Sequence, residues 1–193
     1  LSIRRQRQMC IRDRMSFGNP ESYNSFLYIF VGTFLGGGLV LNSQLVNGKT
    51  GNAGAIGSLP FFNGSEQRQL ITQSSLYLLE RKLIDAGLNG KHIYESPSHW
   101  LCDEDIVNSW ISETAKGLAF ATQCAMSLLD LDGVIIDGAV PSDVKRLLVK
   151  QTHETMQQLD MRGIAEVQIS PGYVGGKAQS IGSANLALQA NYY

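Results

Sequence analysis

Three consecutive glycines, Gly36, Gly37 and Gly38, stand between the apolar runs Phe26–Val31 and Leu39–Leu41. Runs rich in β-branched and aromatic residues and broken by glycine read as strands joined by a tight turn. A helix over residues 26–42 is incompatible with that reading, so the glycines commit this part of the chain to a sheet. Glycine also lets a backbone approach a ligand closely. Successive N–H groups in such a turn form an anion-binding concavity, and the hydroxyl of Thr33 adds a donor. Two readings follow. One is a hairpin that holds phosphate; the other is an ordinary β-hairpin with a glycine bulge. A glycine-rich motif by itself does not separate them.

The longer stretch VGTFLGGGLVLNSQLVNGKTGNAGAIGSLP resembles the ROK family (repressors, open reading frames and sugar kinases). It resembles the segment that runs from that family's second phosphate motif into its sugar-binding motif. Gly32, Thr33, Gly36, Gly37 and Gly38 match the first motif, with Phe34 where the family usually has Gly. Gly51, Gly54 and Gly57 match the second. Ala55 stands where the family has Glu, and Ser58 where it has His. The resemblance extends more weakly over residues 16–193. It implies an α/β fold, an actin-like ATPase (ribonuclease H-like) lobe with a mixed sheet covered by helices. It implies phosphate binding at Gly32, Thr33, Gly36 and Gly37, and sugar binding at Asn52, Gly54 and Ser58. It also places Gly138 against a nucleotide, because Asp137-Gly138 stands where the family has two glycines.

The 193 residues allow one domain, or one lobe of a two-lobed protein. A formal net charge of −1 leaves no electrostatic footprint for nucleic acid over the whole chain. No run approaches the length that spans a membrane. Cys10, Cys102 and Cys124 are too widely spaced for a disulfide framework or a zinc pattern, which suits a reducing cytoplasm. Residues 1–14, LSIRRQRQMCIRDR, are basic and open without Met. They read either as a basic arm for nucleic acid or as a non-native segment, since their wording resembles translated adapter read-through. On the second reading, residues 15–193 are the kinase-like lobe of a chain truncated at its N-terminus.

Asn47-Gly48 is a hairpin signal. Pro60 opens a loop through Asn63-Gly64. Ser65 and Glu66 then start a helix over 65–86, with Leu70, Ile71, Ser74, Leu78 and Leu79 on one face and Gly87 as its cap. Many relatives carry a cysteine-rich zinc loop before this helix. Here residues 61–69 hold no cysteine, so no zinc is expected. His92 and His99 fall in the next loop as solvated side chains. A long helix spans 104–130, opened by acidic residues that suit the helix dipole. Its small residues Gly117, Ala119, Ala121 and Ala125 allow either core packing or a homodimer contact. Gly133–Ala139 reads as a buried strand, followed by a helix over 142–159, a strand over 165–170 and a last helix over 178–190. Strand and helix alternate at a spacing that argues for parallel pairing. Ligands in such sheets collect at the carboxyl ends of strands.

Two function classes remain. One is the sugar-sensing lobe of a ROK transcriptional regulator that reaches DNA through a separate N-terminal domain. The other is a piece of a sugar kinase that uses ATP and Mg²⁺. Ala55, Ser58, Asp137 and the absent zinc ligands point to the regulator, since a sensor need not keep the charged groups of phosphoryl transfer. The ligand is a sugar or sugar phosphate in either class. No catalytic residue is assigned. Asp13 is the only acid in residues 1–14, where a family-type base would fall, but it is flanked by Arg12 and Arg14 and belongs to that segment.

Overall fold

The computed structural model describes residues 23–64, 66–95, 100 and 103–173. Strand β1 (Phe26–Val31) sits in the middle of a five-stranded sheet. On one side it pairs antiparallel with β2 (Leu35–Leu41), which pairs antiparallel with β3 (Gln44–Val46). On the other side it pairs parallel with β6 (Gly133–Gly138), which pairs parallel with β7 (Gln168–Pro171). The order β3-β2-β1-β6-β7 is a mixed sheet, as expected of the actin-like fold.

Between β3 and β6 the chain leaves the sheet. It forms a two-stranded hairpin, β4 (Pro60–Asn63) with β5 (Glu66–Gln69). It then forms helices α1 (Leu76–Asp85), α2 (His92–Glu95) and α3 (Glu104–Leu129). Helix α4 (Ser142–Met156) joins β6 to β7. Side chains alternate along a strand, so β1 feeds two clusters. Leu27, Ile29 and Val31 join Val134 and Ile136 of β6 on one face, and every described helix contributes apolar residues to that cluster. Phe26 and Tyr28 lie on the other face with Val40 and Ile135. The small residues of α3 serve packing. Gly117, Ala119 and Ala121 are buried, and a Cβ at Gly117 would overlap the Ser74 hydroxyl.

The structure corrects several boundaries. The helix expected over 65–86 is instead strand β5, a 3-10 turn (Leu70–Thr72) and the shorter α1. Asn63-Gly64, read as part of a loop, is instead the end of β4 and the turn that leads out of it, with Gly64 at φ +66. Pairing of residues 60–63 with 66–69 therefore takes the residues that the helical pattern claimed. Helix α4 ends at Met156 rather than near 159, and the last described strand covers 168–171 rather than 165–170. Its start is delayed by a loop in which Arg162 folds back on Asp160 (2.6 Å) and Gly163 takes φ +82. His92 opens the short helix α2 instead of lying in a loop. Gly87 does follow α1, at φ +78, where the Leu88 N–H reaches back to the Leu83 carbonyl (2.8 Å). Residues 1–14, His99, Cys10, Cys102 and the helix expected over 178–190 lie outside the described residues.

Candidate functional site

Three parallel strands end at one edge of the sheet. In register, Val31 faces Gly138, and Ile136 faces Pro171. The carboxyl ends of β1, β6 and β7 thus bring Gly32 and Thr33, Gly138 and Ala139, and Gly172 together. The link is close-packed. The Ala139 N–H donates to the Val31 carbonyl (3.1 Å), and the Gly172 N–H donates to the Ile136 carbonyl (2.7 Å). A Cβ at Gly138 would stand 2.5 Å from the Val31 oxygen, so only glycine fits there.

The turn between β1 and β2 is Gly32–Phe34, with Thr33 and Phe34 exposed. Its carbonyls face helix α1. The Leu76 N–H donates to the Gly32 carbonyl (2.9 Å) and the Tyr77 N–H to that of Thr33 (3.4 Å). These bonds satisfy amides that a helix start leaves unpaired. Helix α1 is pinned from behind by α3. Trp110 Nε1–H donates to the Ser75 carbonyl (3.0 Å), Ser74 Oγ to that of Thr114 (3.4 Å), and Lys82 pairs with Glu113 (2.9 Å). The turn is therefore held by two helices. Tyr94 of α2 also reaches this corner. Its hydroxyl donates to Glu80 Oε2 (3.2 Å). Burial, then the Glu80 charge and that hydrogen bond, push the phenol up to about 12, while a bond to the Thr33 hydroxyl pulls the other way.

Gly36 and Gly37, assigned from sequence to phosphate, are not in the turn. They are buried in β2, opposite Phe30 and Ile29. At Gly37 the lack of a side chain has a packing reason. The segment 54–57 runs back along β2, and a Cβ at Gly37 would stand 2.7 Å from the Gly54 oxygen and 2.8 Å from Ile56 Cγ1. Gly54, at φ +74, packs on Gly38, where its Cβ would lie 2.7 Å from Cα. Gly57 packs on the Leu35 carbonyl.

This antiparallel run separates the sugar-binding candidates. Ser58 ends the 3-10 turn Ile56–Ser58 beside Leu35, close to the Gly32–Phe34 turn, and is exposed. Asn52, also exposed, lies past Gly54 toward the Asn47-Gly48 hairpin, where the Ala53 N–H meets the Asn47 carbonyl (3.2 Å). The points on β2 that Gly54 and Gly57 touch, Gly38 and Leu35, are three strand residues apart, about 10 Å at roughly 3.3 Å each. The edge thus gathers Thr33, Ser58 and Gly138, and leaves Asn52 apart.

Sequence reasoning missed the charged corner beside Gly138. Asp137 is buried at the end of β6. Its Oδ2 accepts from the Tyr28 hydroxyl (2.7 Å); its Oδ1 accepts from the Gly138 N–H (2.8 Å) and from Lys145 Nζ (2.5 Å). Lys145, in the first turn of α4, also donates to the Gly172 carbonyl (2.9 Å). A buried aspartate at a strand end, eight residues before a lysine on the following helix, was the available signal. Among the described residues no three His, Cys, Asp or Glu side chains lie together to hold a metal, and no helix is long and apolar enough to cross a membrane.

Residues 14–67, which span the β1–β2 turn and the 54–58 run, match the model of the ROK family. Solved ROK proteins have the same fold. A glucokinase from Streptomyces griseus, in complex with glucose and AMPPNP, superposes with a TM-score of 0.74 at 23% identity, over 95% of this chain and 67% of that one. A hexokinase from Thermus thermophilus gives 0.67 at 16%, over 96% and 65%. A ROK transcriptional regulator, a homolog of the E. coli MLC protein, gives 0.67 at 15%, over 95% and 51%. This chain thus spans about two thirds of the two kinases and about half of the regulator. No curated protein matches the sequence.

Proposed function

We propose that this ROK lobe comes from an ATP-dependent sugar kinase, and that it holds nucleotide and sugar along the β1, β6 and β7 edge. The supporting observation is the convergence there of the Gly32–Phe34 turn, Gly138 and Ser58. Kinases among the similar folds add to it, including one that holds glucose and AMPPNP. The kinase reading thereby replaces the regulator as the better-supported one. The edge suits a nucleotide. Asp137 is buried and tied to Lys145, so its charge does not confront a phosphate. Backbone groups at Gly32–Phe34 and Gly138 would hold ATP, which supplies the phosphoryl group. The exposed hydroxyl of Ser58 would bond the sugar. Phosphate contact falls on the turn, not on the buried Gly36 and Gly37.

The regulator reading keeps one argument. Ala55 and Ser58 stand where the ROK pattern has a glutamate and a histidine. Calorimetry on the purified chain tests both, with ATP and Mg²⁺ and with glucose, N-acetylglucosamine and mannose. Binding of ATP and of a sugar is the expected result. Sugar binding without ATP binding would favour the regulator, and binding of neither would overturn both. ADP release is not expected from this chain alone, because the Asp137 carboxylate at this edge is buried and its oxygens are taken up by Lys145, Tyr28 and the Gly138 N–H, so that it is not positioned as a base. A missing positioned base removes about 10²–10⁴-fold in rate.

A further inference from the structure

The proposed binding residues make no use of Lys145, although its placement is costly. Taking two charges out of water is repaid only by good geometry and by further hydrogen bonds that occupy the remaining donors and acceptors. Both conditions hold at Lys145. Its side chain is 10% exposed, and that of Asp137 is 0%. One ammonium group joins two strands, bonding the carboxylate at the end of β6 and the carbonyl just past the end of β7. Gly172 is gripped twice, since its N–H also donates to the Ile136 carbonyl (2.7 Å). It cannot be another residue either, because a Cβ there would overlap the Asp137 carboxylate. Tyr173, the next residue, is 70% exposed at the same edge.

We propose that Lys145 is a positioning residue: anchored by Asp137, it clamps the chain at Gly172 and so sets the wall that a nucleotide meets beyond β6 and β7. The nucleotide part rests on the kinase reading; the clamp itself does not. A pure core contact would have no reason to combine a charge pair with a backbone carbonyl at a strand end. The same job done by apolar packing would leave the Gly172 carbonyl without its charged donor. Charge-assisted bonds are shorter and about twice as strong as neutral ones, so they hold a loop at a defined distance.

The test uses Asp137→Asn/Lys145→Met in the full chain, because removing both charges avoids a buried unpaired ion. Lys145→Arg, which keeps charge and donors, serves as the rescue. Two readouts are taken: hydrogen exchange over residues 168–173, and calorimetric affinity for ADP and for glucose. The double variant is expected to exchange faster at 168–173 than elsewhere and to bind ADP about tenfold more weakly, the loss of roughly one charge-assisted bond. Glucose affinity is expected to stay unchanged, and Lys145→Arg to recover most of the ADP affinity. Unchanged exchange at 168–173 in a folded double variant overturns the clamp. Faster exchange with unchanged ADP affinity overturns its role in the nucleotide wall. If the unaltered chain binds no ADP, the kinase reading fails and exchange alone decides the clamp.

Discussion

The two halves of the ligand edge are built by opposite means. On the β1–β2 side, Gly37, Gly38, Gly54 and Gly57 bring backbone against backbone by having no side chains. On the β6–β7 side, Asp137, Lys145 and Tyr28 bring strand ends together with side chains that carry charge and hydrogen bonds. The first half tolerates no added volume. The second tolerates no unbalanced charge. The glycine contacts join segments 16 to 22 residues apart in the chain. The bridged strand ends draw on residues 8, 27 and 109 apart.

The largest effect is expected from Lys145→Met alone. It leaves the Asp137 carboxylate buried without its cation, at a cost of about 3–5 kcal/mol. Urea denaturation should show the single change destabilising well beyond Asp137→Asn/Lys145→Met. Equal losses would mean that the two halves do not differ in kind. Next comes Gly37→Ala. Its new Cβ meets the Gly54 carbonyl, a backbone atom that cannot swing aside, at a cost of about 1–3 kcal/mol. Gly51→Ala is the control. Gly51 sits at φ +71 with nothing within 4 Å, so it carries backbone strain alone, about 1 kcal/mol. If Gly51→Ala costs as much as Gly37→Ala, close packing is not what selects glycine on this side.

Trp110→Phe should cost about 1–2 kcal/mol by leaving the Ser75 carbonyl without its buried donor. Faster hydrogen exchange at residues 74–78 would locate the damage at the start of α1. The smallest effect concerns Tyr94. Its folded pKa, about 12, lies above the ordinary value of 10.0. The protonated phenol is therefore favoured by folding. Its stabilisation is complete below pH 10 and declines as pH rises from about 10 toward 12. Thermal midpoints followed from pH 9 to pH 12 should fall more steeply for the unaltered chain than for Tyr94→Phe. Parallel curves would show that the Glu80–Tyr94 bond does not hold the corner beside Thr33.

Much of the fold was legible in the residues. Phe26–Val31, closed by Gly32, reads as a strand and is one. The helix expected over 104–130 is Glu104–Leu129, and Asp103 caps it by accepting from the Ile106 N–H (3.0 Å). The hairpin at 60–69 was not legible, because Gln67, Arg68 and Gln69 carry no strand signature and are all exposed. Only their pairing partners make them a strand. At the site, the presence of glycine at 36, 37, 54 and 138 was readable, but its meaning was not. Gly36 and Gly37 fit a phosphate cradle and a buried strand equally well until the backbone across from them is known.

The sequence by itself determined that the stretch around the three glycines would build sheet, as residues 26–46 do, and that an α/β layer would follow. These are local or periodic properties, set by what each residue allows its own backbone to do. The tertiary structure decided which glycines line the edge and which are buried beneath it, that Ser58 joins Thr33 while Asn52 does not, and that Lys145 closes on Asp137 and Gly172. The reason is physical. Burial, charge pairing and the space left for a Cβ depend on what the rest of the chain brings to that point, and no stretch of sequence carries its own neighbours.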